Sequence, residues 1–264
     1  MITGADAAHV RRADEHRPVS EPESPPGLDP GRPPGPEFHT FTCVARCSRT
    51  GRLGIGTSTR SLAVGARVPH ARARLGAVAI MAIADARLGY TALRLLETGY
   101  KAPSVIDELV RVDPFNEYRQ LAVVDADGFA AARTGKMNRD FAGHTVGDGF
   151  VALGNVLVGA HVLDAIASAF SKDPGEDLEE RLLRAIEAGR DAGGQHGGQR
   201  SAALLVVDDR PFAHVDLRVD VHDEPIGELR RVFDVYRPAI PYYNLRQVDA
   251  RVPPLDDWLA QRPR

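Results

Sequence analysis

The stretch LGAVAIMAIAD, from Leu75 to Asp85, is a continuous apolar run of small and β-branched residues. Its length suits a strand, and the absence of alternation predicts that both faces of that strand are dry. A strand dry on both faces must lie in an interior layer, so the rest of the chain has to cover it on each side. The next stretch, LGYTALRLLETGYKAPSVIDELVRVDP, supplies one cover. It has helical spacing, with Leu93, Leu96, Val105 and Leu109 on apolar faces and with Gly99 and Pro103 dividing two helices.

The other segments repeat this grammar. HTFTCVAR alternates, TGR turns, and LGIGTST resumes, which reads as a hairpin in which Thr40 and Thr42 face one side and Phe41 and Cys43 the other. YRQLAVVDADGFAAARTG is a second hairpin with Asp127-Gly128 in its turn. GHTVGDGFVALGN continues in strand or loop, and GAHVLDAIASAFSKDPG and DLEERLLRAIEAGRDAGG are helices. SAALLVVDDRPFAHVDLRVDVHDEP is a last hairpin before a helix at IGELRRVFDVY. Strands alternating with paired helices in this order predict an α+β fold, with helices covering stacked antiparallel sheets rather than a wheel of βαβ units.

Residues 1–38 stand apart. They carry PESPPGLDPGRPPGPE, whose prolines remove backbone donors and whose composition offers little apolar surface, so they read as a disordered extension or a propeptide. The folded domain is expected over 39–236. The tail 237–264 brings Tyr242, Tyr243 and Trp258 as aromatic anchors, either for its own domain or for a partner subunit in a homodimer.

With 43% hydrophobic residues and a formal net charge of −3 over 264 residues, charge is concentrated nowhere, which argues against nucleic acid or a membrane surface as partner. Cys43 and Cys47, four apart, cannot complete a zinc site without distant histidines and cannot form a disulfide framework. No signal-peptide core, membrane-length apolar run, GxGxxG or phosphate loop is seen, so a cytoplasmic protein without cofactor is expected.

HVDLRVDVH alternates four apolar residues with Asp216, Arg218, Asp220 and His222. Asp and His are metal ligands, but Arg218 between them would repel a cation, so a salt-bridged polar strand with no metal is the expectation. His144, in FAGHTVGDG, is read as a hydrogen-bonded histidine or as a base beside substrate.

The blocks HTFTCVAR, LAVGARVPHARARLGAVA, YRQLAVVDADG, TGKMNRDFAGHTVGDGF, GNVLVG, SAALLVV and HVDLRVDVHDEPIGELRR resemble successive parts of the bacterial domain of unknown function 1028 family, over roughly residues 39–236. That family is grouped with the N-terminal nucleophile hydrolases. The resemblance therefore implies their four-layer αββα sandwich and a cofactor-free hydrolase of a small amide, ureide or peptide-like bond. It also implies Thr40 as nucleophile. A threonine hydroxyl needs a neighbouring base, and a free α-amine, with a reference pKa of about 7.7–8.0, supplies one on the same residue.

Thr40 gains that amine only if the His39–Thr40 bond is cut. Two expectations follow: a removable extension with an active enzyme, or a non-catalytic binding or scaffold module that keeps the fold. By the same resemblance, Thr59 and Arg60 lie beside the nucleophile, Arg60 lowering the amine pKa and orienting substrate. Asn155 would donate to an oxyanion, and the Ser201 hydroxyl would lie close to the amine.

Overall fold

The computed structural model describes residues 39–139 and 141–261, so the expectation for 1–38 lies outside the described residues. The first hairpin joins β1 (Thr40–Arg46) and β2 (Leu53–Thr59) in an antiparallel register running from Thr40↔Thr59 to Arg46↔Leu53. These strands lie at the centre of a six-stranded antiparallel sheet. Phe150–Asn155 and Gly143–Gly147 extend it on one side, and Ser201–Val207 and Ala213–Val219 on the other. With β3 (Pro69–Arg72), β4 (Gly76–Ala82), β5 (Arg119–Asp125), β6 (Ala130–Thr134), β7 (Gly143–Gly147), β8 (Phe150–Asn155), β9 (Ser201–Val207) and β10 (Ala213–Val219), the orders are β10-β9-β2-β1-β8-β7 and β3-β4-β5-β6.

The period of two sorts the side chains into layers. Phe41, Cys43 and Ala45 point away from the second sheet and pack on α3 (His161–Ser171) and α4 (Leu178–Asp191) through Val162, Ile166, Leu182 and Ile186; α5 (Pro225–Tyr236) closes the same core with Leu229 and Phe233. Val44, Leu53 and Ile55 meet Ala77, Ala79, Met81, Ala122 and Val124 between the sheets. Val78, Ile80, Leu121 and Val123 pack on α1 (Ala86–Glu97) and α2 (Ala102–Val112). The chain is thus the expected four-layer αββα sandwich, and Gly76–Ala82 is buried on both faces along its whole length.

Small residues let one helix lie directly on the central hairpin. A Cβ at Gly56 would come 2.9 Å from the Leu182 carbonyl oxygen, and one at Gly54 would meet the Leu182 side chain at 2.8 Å. Some boundaries differ from the sequence expectation. Pro103 sits in the first turn of α2, where its missing N–H has no intrahelical partner to lose, rather than between the helices. The segment left open as strand or loop is a hairpin, β7–β8, turning at Gly149 with φ 69°. Past α5 the chain forms α6 (Ile240–Arg246) and α7 (Leu255–Ala260). Tyr242 there is buried and meets Trp258 edge-on, while Tyr243 stacks on Tyr236.

Candidate active site

Four strands bring Ser201, Thr59, Thr40 and Asn155 onto one rung. Thr59 pairs with Ser201 on one side and Thr40 on the other, and Thr40 also pairs with Asn155. All four are buried, on the face turned to the second sheet. The next rung in is Ala203, Thr57, Thr42 and Leu153, and the one after it Leu205, Ile55, Val44 and Val151. The layer between the sheets therefore grades from apolar to polar, and its polar end is where β1 begins.

Hydrogen-bond donors on this rung can be assigned by elimination. The Thr59 hydroxyl lies 2.7 Å from the His39 carbonyl oxygen, which only accepts, so Thr59 spends its single proton there. Thr40 Oγ1, 2.9 Å from Thr59 Oγ1, must then be the donor in that contact, joined by the Ser61 N–H at 3.3 Å. The His39 carbonyl takes a second donor, the Arg60 N–H, at 3.0 Å. The carbonyl just before Thr40 thus sits between two donors, and the Thr40 hydroxyl points its proton away from it.

Asn155 is held by a residue that the sequence reading passed over. Its Nδ2 donates to Gln120 Oε1 at 2.9 Å, and the two N–H groups of Gln120 Nε2 are shared among three acceptors, the Gly154 carbonyl at 2.8 Å, Thr134 Oγ1 at 3.0 Å and the Gly143 carbonyl at 3.1 Å. Gln120 reaches from the second sheet to the first, and its only sequence signal is a polar side chain next to Arg119 at the start of the otherwise apolar strand RQLAVV. Thr134 Oγ1 also meets His144 Nδ1 at 2.9 Å. His144, on β7, pairs with Leu153, one rung in from Thr40, and partial burial of its ring lowers its pKa below the ordinary 6.5.

Ser201 and Arg60 are close by in the chain fold but engaged elsewhere. Ser201 Oγ donates to the Ser61 carbonyl at 2.7 Å and accepts from the Val64 N–H at 3.1 Å, so it fixes the 61–64 turn. The Arg60 side chain is exposed and lies across Gly197, where a Cβ would fall 2.0 Å from its Nη1. Gly197 belongs to a glycine-rich loop in which Gly193, Gly194, Gly197 and Gly198 all have positive φ. This loop passes over His39, whose Nδ1 is hydrogen-bonded to the His196 carbonyl.

The cation that shares a cavity with Thr40 is Arg67. It lines a cavity of about 50 Å³ together with Thr40, Thr59, Ser61, Val64 and Ala82. That volume holds a water or a small group. Ala63 and Ala82, beside this cavity, and Val156, next to Asn155, have φ of 52°, 65° and 53°. Left-handed backbone is rare for residues other than glycine and disfavoured above all for a β-branched one, and such strain clusters at sites that need a fixed geometry. A larger cavity, about 540 Å³, lies elsewhere, among Arg52, Glu179, Arg210, His214, Asn244 and Leu245, and shares no residue with the rung.

On the edge strand β10, Arg218 makes two hydrogen bonds to Asp216, at 2.9 and 3.0 Å. Asp220 and His222 lie beyond the strand, which ends at Val219, rather than on it: His222 Nδ1 accepts from the Glu224 N–H at 3.0 Å, and the Asp220 carbonyl accepts from the Ala63 N–H at 2.9 Å. Among the described residues no group of His, Cys, Asp and Glu could hold a metal ion, and no helix is long and apolar enough to cross a membrane.

Residues 40–229 match the model of a family of unknown function, DUF1028. The crystal structure of a DUF1028 protein from Silicibacter pomeroyi is 35% identical, with a TM-score of 0.69, covering 75% of this chain and 89% of that one. Anbu, an ancestral β-subunit from Yersinia bercovieri, is 11% identical with a TM-score of 0.37, covering 81% of this chain and 99% of that one. No curated protein matches.

Proposed function

The chain belongs to the DUF1028 family of unknown function, and from that premise we propose that it is an amide-bond hydrolase that cuts its own His39–Thr40 bond and then uses Thr40 as nucleophile. The observation that carries this reading is the doubly held His39 carbonyl, with the Thr40–Thr59 hydroxyl pair beside it.

Self-cleavage follows from these contacts. Thr40 Oγ1 bonds to the His39 carbonyl carbon in a five-membered ring, its proton passing to Thr59 Oγ1 while Thr59 gives its own proton to the carbonyl oxygen. The Arg60 N–H stabilises the charge that develops on that oxygen. When the carbon–nitrogen bond breaks, the proton on the oxygen goes to nitrogen. That step leaves an ester on Thr40 Oγ1 and a free α-amine on the same residue. Water hydrolyses the ester to the His39 carboxylic acid and the Thr40 hydroxyl. The amine then stands within one residue of the hydroxyl it has to deprotonate, which is the arrangement a weak nucleophile needs.

External substrates are small amides, ureides or peptide-like bonds, and turnover needs no cofactor. Arg67, at the cavity, is placed to depress the pKa of the new amine and to attract a carbonyl or carboxylate. Against this stands the size of the Thr40 cavity, well below the several hundred Å³ of a usual ligand site, which favours a non-catalytic module if the chain stays whole.

Intact mass and amino-terminal sequencing of the purified chain decide between the two. A wild-type chain that begins at Thr40, beside a Thr40→Ala chain that remains whole, is the expected result. A wild-type chain that keeps its His39–Thr40 bond overturns the hydrolase reading.

A further inference from the structure

We infer that the slot holding His39 is the acyl subsite of the enzyme, and that its preferred external substrates are amides of histidine or of acyl groups with an N–H donor in the imidazole position. This inference rests on the self-cleaving reading above and names the substrate for the same site.

The slot is built around a side chain of this protein. His39 is 4% exposed. Its carbonyl is held by Thr59 Oγ1 and the Arg60 N–H, and its ring donates from Nδ1 to the His196 carbonyl oxygen, an atom that only accepts. The acceptor is firmly placed. The His196 N–H donates to the Val156 carbonyl at 2.9 Å, the Val158 N–H to the Gly194 carbonyl at 3.1 Å, and the Arg200 N–H to the Thr59 carbonyl at 2.7 Å. The loop is thereby tied to the ends of β8 and β2, the two neighbours of the strand that carries Thr40. A ring without an N–H at that position leaves the His196 carbonyl without this donor.

Chemistry links this slot to external substrates. Self-cleavage passes through an ester in which Thr40 Oγ1 carries the histidyl group, and an external histidyl amide gives the same ester on the same oxygen. In the second case Thr40 Oγ1 bonds to the substrate carbonyl carbon and its proton passes to the Thr40 amine. The carbon–nitrogen bond then breaks, and the leaving amine takes that proton. Water hydrolyses the ester to free histidine. Once residues up to His39 have departed, the vacated contacts fit the group that made them.

The test uses the full chain after it has processed itself, with mass confirming a start at Thr40, and follows release of 4-nitroaniline from the anilides of histidine, phenylalanine and glycine. The histidine anilide is expected to have a kcat/KM at least about tenfold above the phenylalanine one, the scale of one hydrogen bond. In the unprocessed chain, His39→Phe is expected to slow self-cleavage by about the same factor, with the far-UV circular dichroism unchanged. Equal or better cleavage of the phenylalanine anilide, or no cleavage of any anilide by chains that begin at Thr40, overturns the acyl subsite and leaves self-cleavage standing. Absence of any chain beginning at Thr40 overturns both.

Discussion

Thr40 and Thr59 face each other across the central hairpin with their hydroxyl oxygens 2.9 Å apart, and a third atom, the His39 carbonyl oxygen, sets the direction of the bond between them. Because Thr59 must donate to that carbonyl, Thr40 must donate to Thr59. On the proposed self-cleavage reading the pair is a proton path with a fixed sense, not two interchangeable strand hydroxyls.

Thr59→Val tests that path, since it removes the hydroxyl and keeps the branched shape. It deletes one donor to the developing oxyanion and the acceptor for the Thr40 proton, so self-cleavage should slow by about 10²–10³-fold. Thr59→Ser keeps the hydroxyl and should stay within about tenfold of wild type, a margin worth roughly 1.4 kcal/mol of barrier. Thr57→Val is the control, because Thr57 makes the equivalent contact to Thr42, at 2.7 Å, one rung farther in. A time course of intact mass reads all three, and equal rates for Thr59→Val and wild type would refute the relay.

Gln120→Leu should destabilise the fold by about 2–4 kcal/mol in urea unfolding, since it strips partners from the Asn155 amide and from the Gly143 and Gly154 carbonyls at once. The same change should slow processing, because Asn155 pairs directly with Thr40. Unaltered stability would mean that the link between the sheets at this level is not needed to hold them together.

What the sequence made legible was local. Period-two alternation marked the first hairpin, an unbroken apolar run marked the dry strand Gly76–Ala82, and the 3.6-residue period marked α1 to α5, because each is a property of neighbouring residues. The rung was only half legible. Strand starts at Thr40 and Ser201 are visible one at a time, but their alignment with Asn155 comes from pairings between strands far apart in the chain. Arg60 and Arg67 show why side-chain destinations are harder still. Both precede the same apolar strand, yet a left-handed turn at Ala63 helps carry the chain back so that Arg67 lines the cavity while Arg60 lies over Gly197. Nothing in an alanine announces positive φ, and nothing in Gln120 announces four partners.

Gly56→Ala should weaken the packing of α4 on the hairpin. The new methyl meets a backbone carbonyl at 2.9 Å, and a backbone atom cannot rotate aside, so helix and strand must separate. A loss of about 1–3 kcal/mol in urea or thermal unfolding is expected. Gly198→Ala tests another kind of strain, because its site is open but its φ is 74°. It should lose about 1 kcal/mol through backbone conformation alone.

Acid should unfold the protein through the first turn of α4. Burial alone would raise the Glu179 carboxyl, but the hydrogen bond from His214, its own N–H and the charge of Arg52 bring it below its ordinary 4.5. Glu180 is likewise lowered against burial, by hydrogen bonds from Arg230 at 2.9 Å to each oxygen and by Arg237 and Arg184. A carboxyl depressed in the fold contributes its stability above the unfolded value and loses it as pH falls through the folded one. The urea midpoint should therefore hold from pH 7 to 5, as far as these groups decide it, and fall below about pH 4.5. Arg230→Met removes the largest of the cationic contacts that hold Glu180 down. With that partner gone, Arg237 and Arg184 still face the carboxyl but burial is less fully offset, so the variant should be less stable by about 3–5 kcal/mol at pH 7 and recover part of that difference as the carboxyl protonates. A wild-type and variant pair whose midpoints fall in parallel with pH would show that the Arg230 clamp does not set the acid limit.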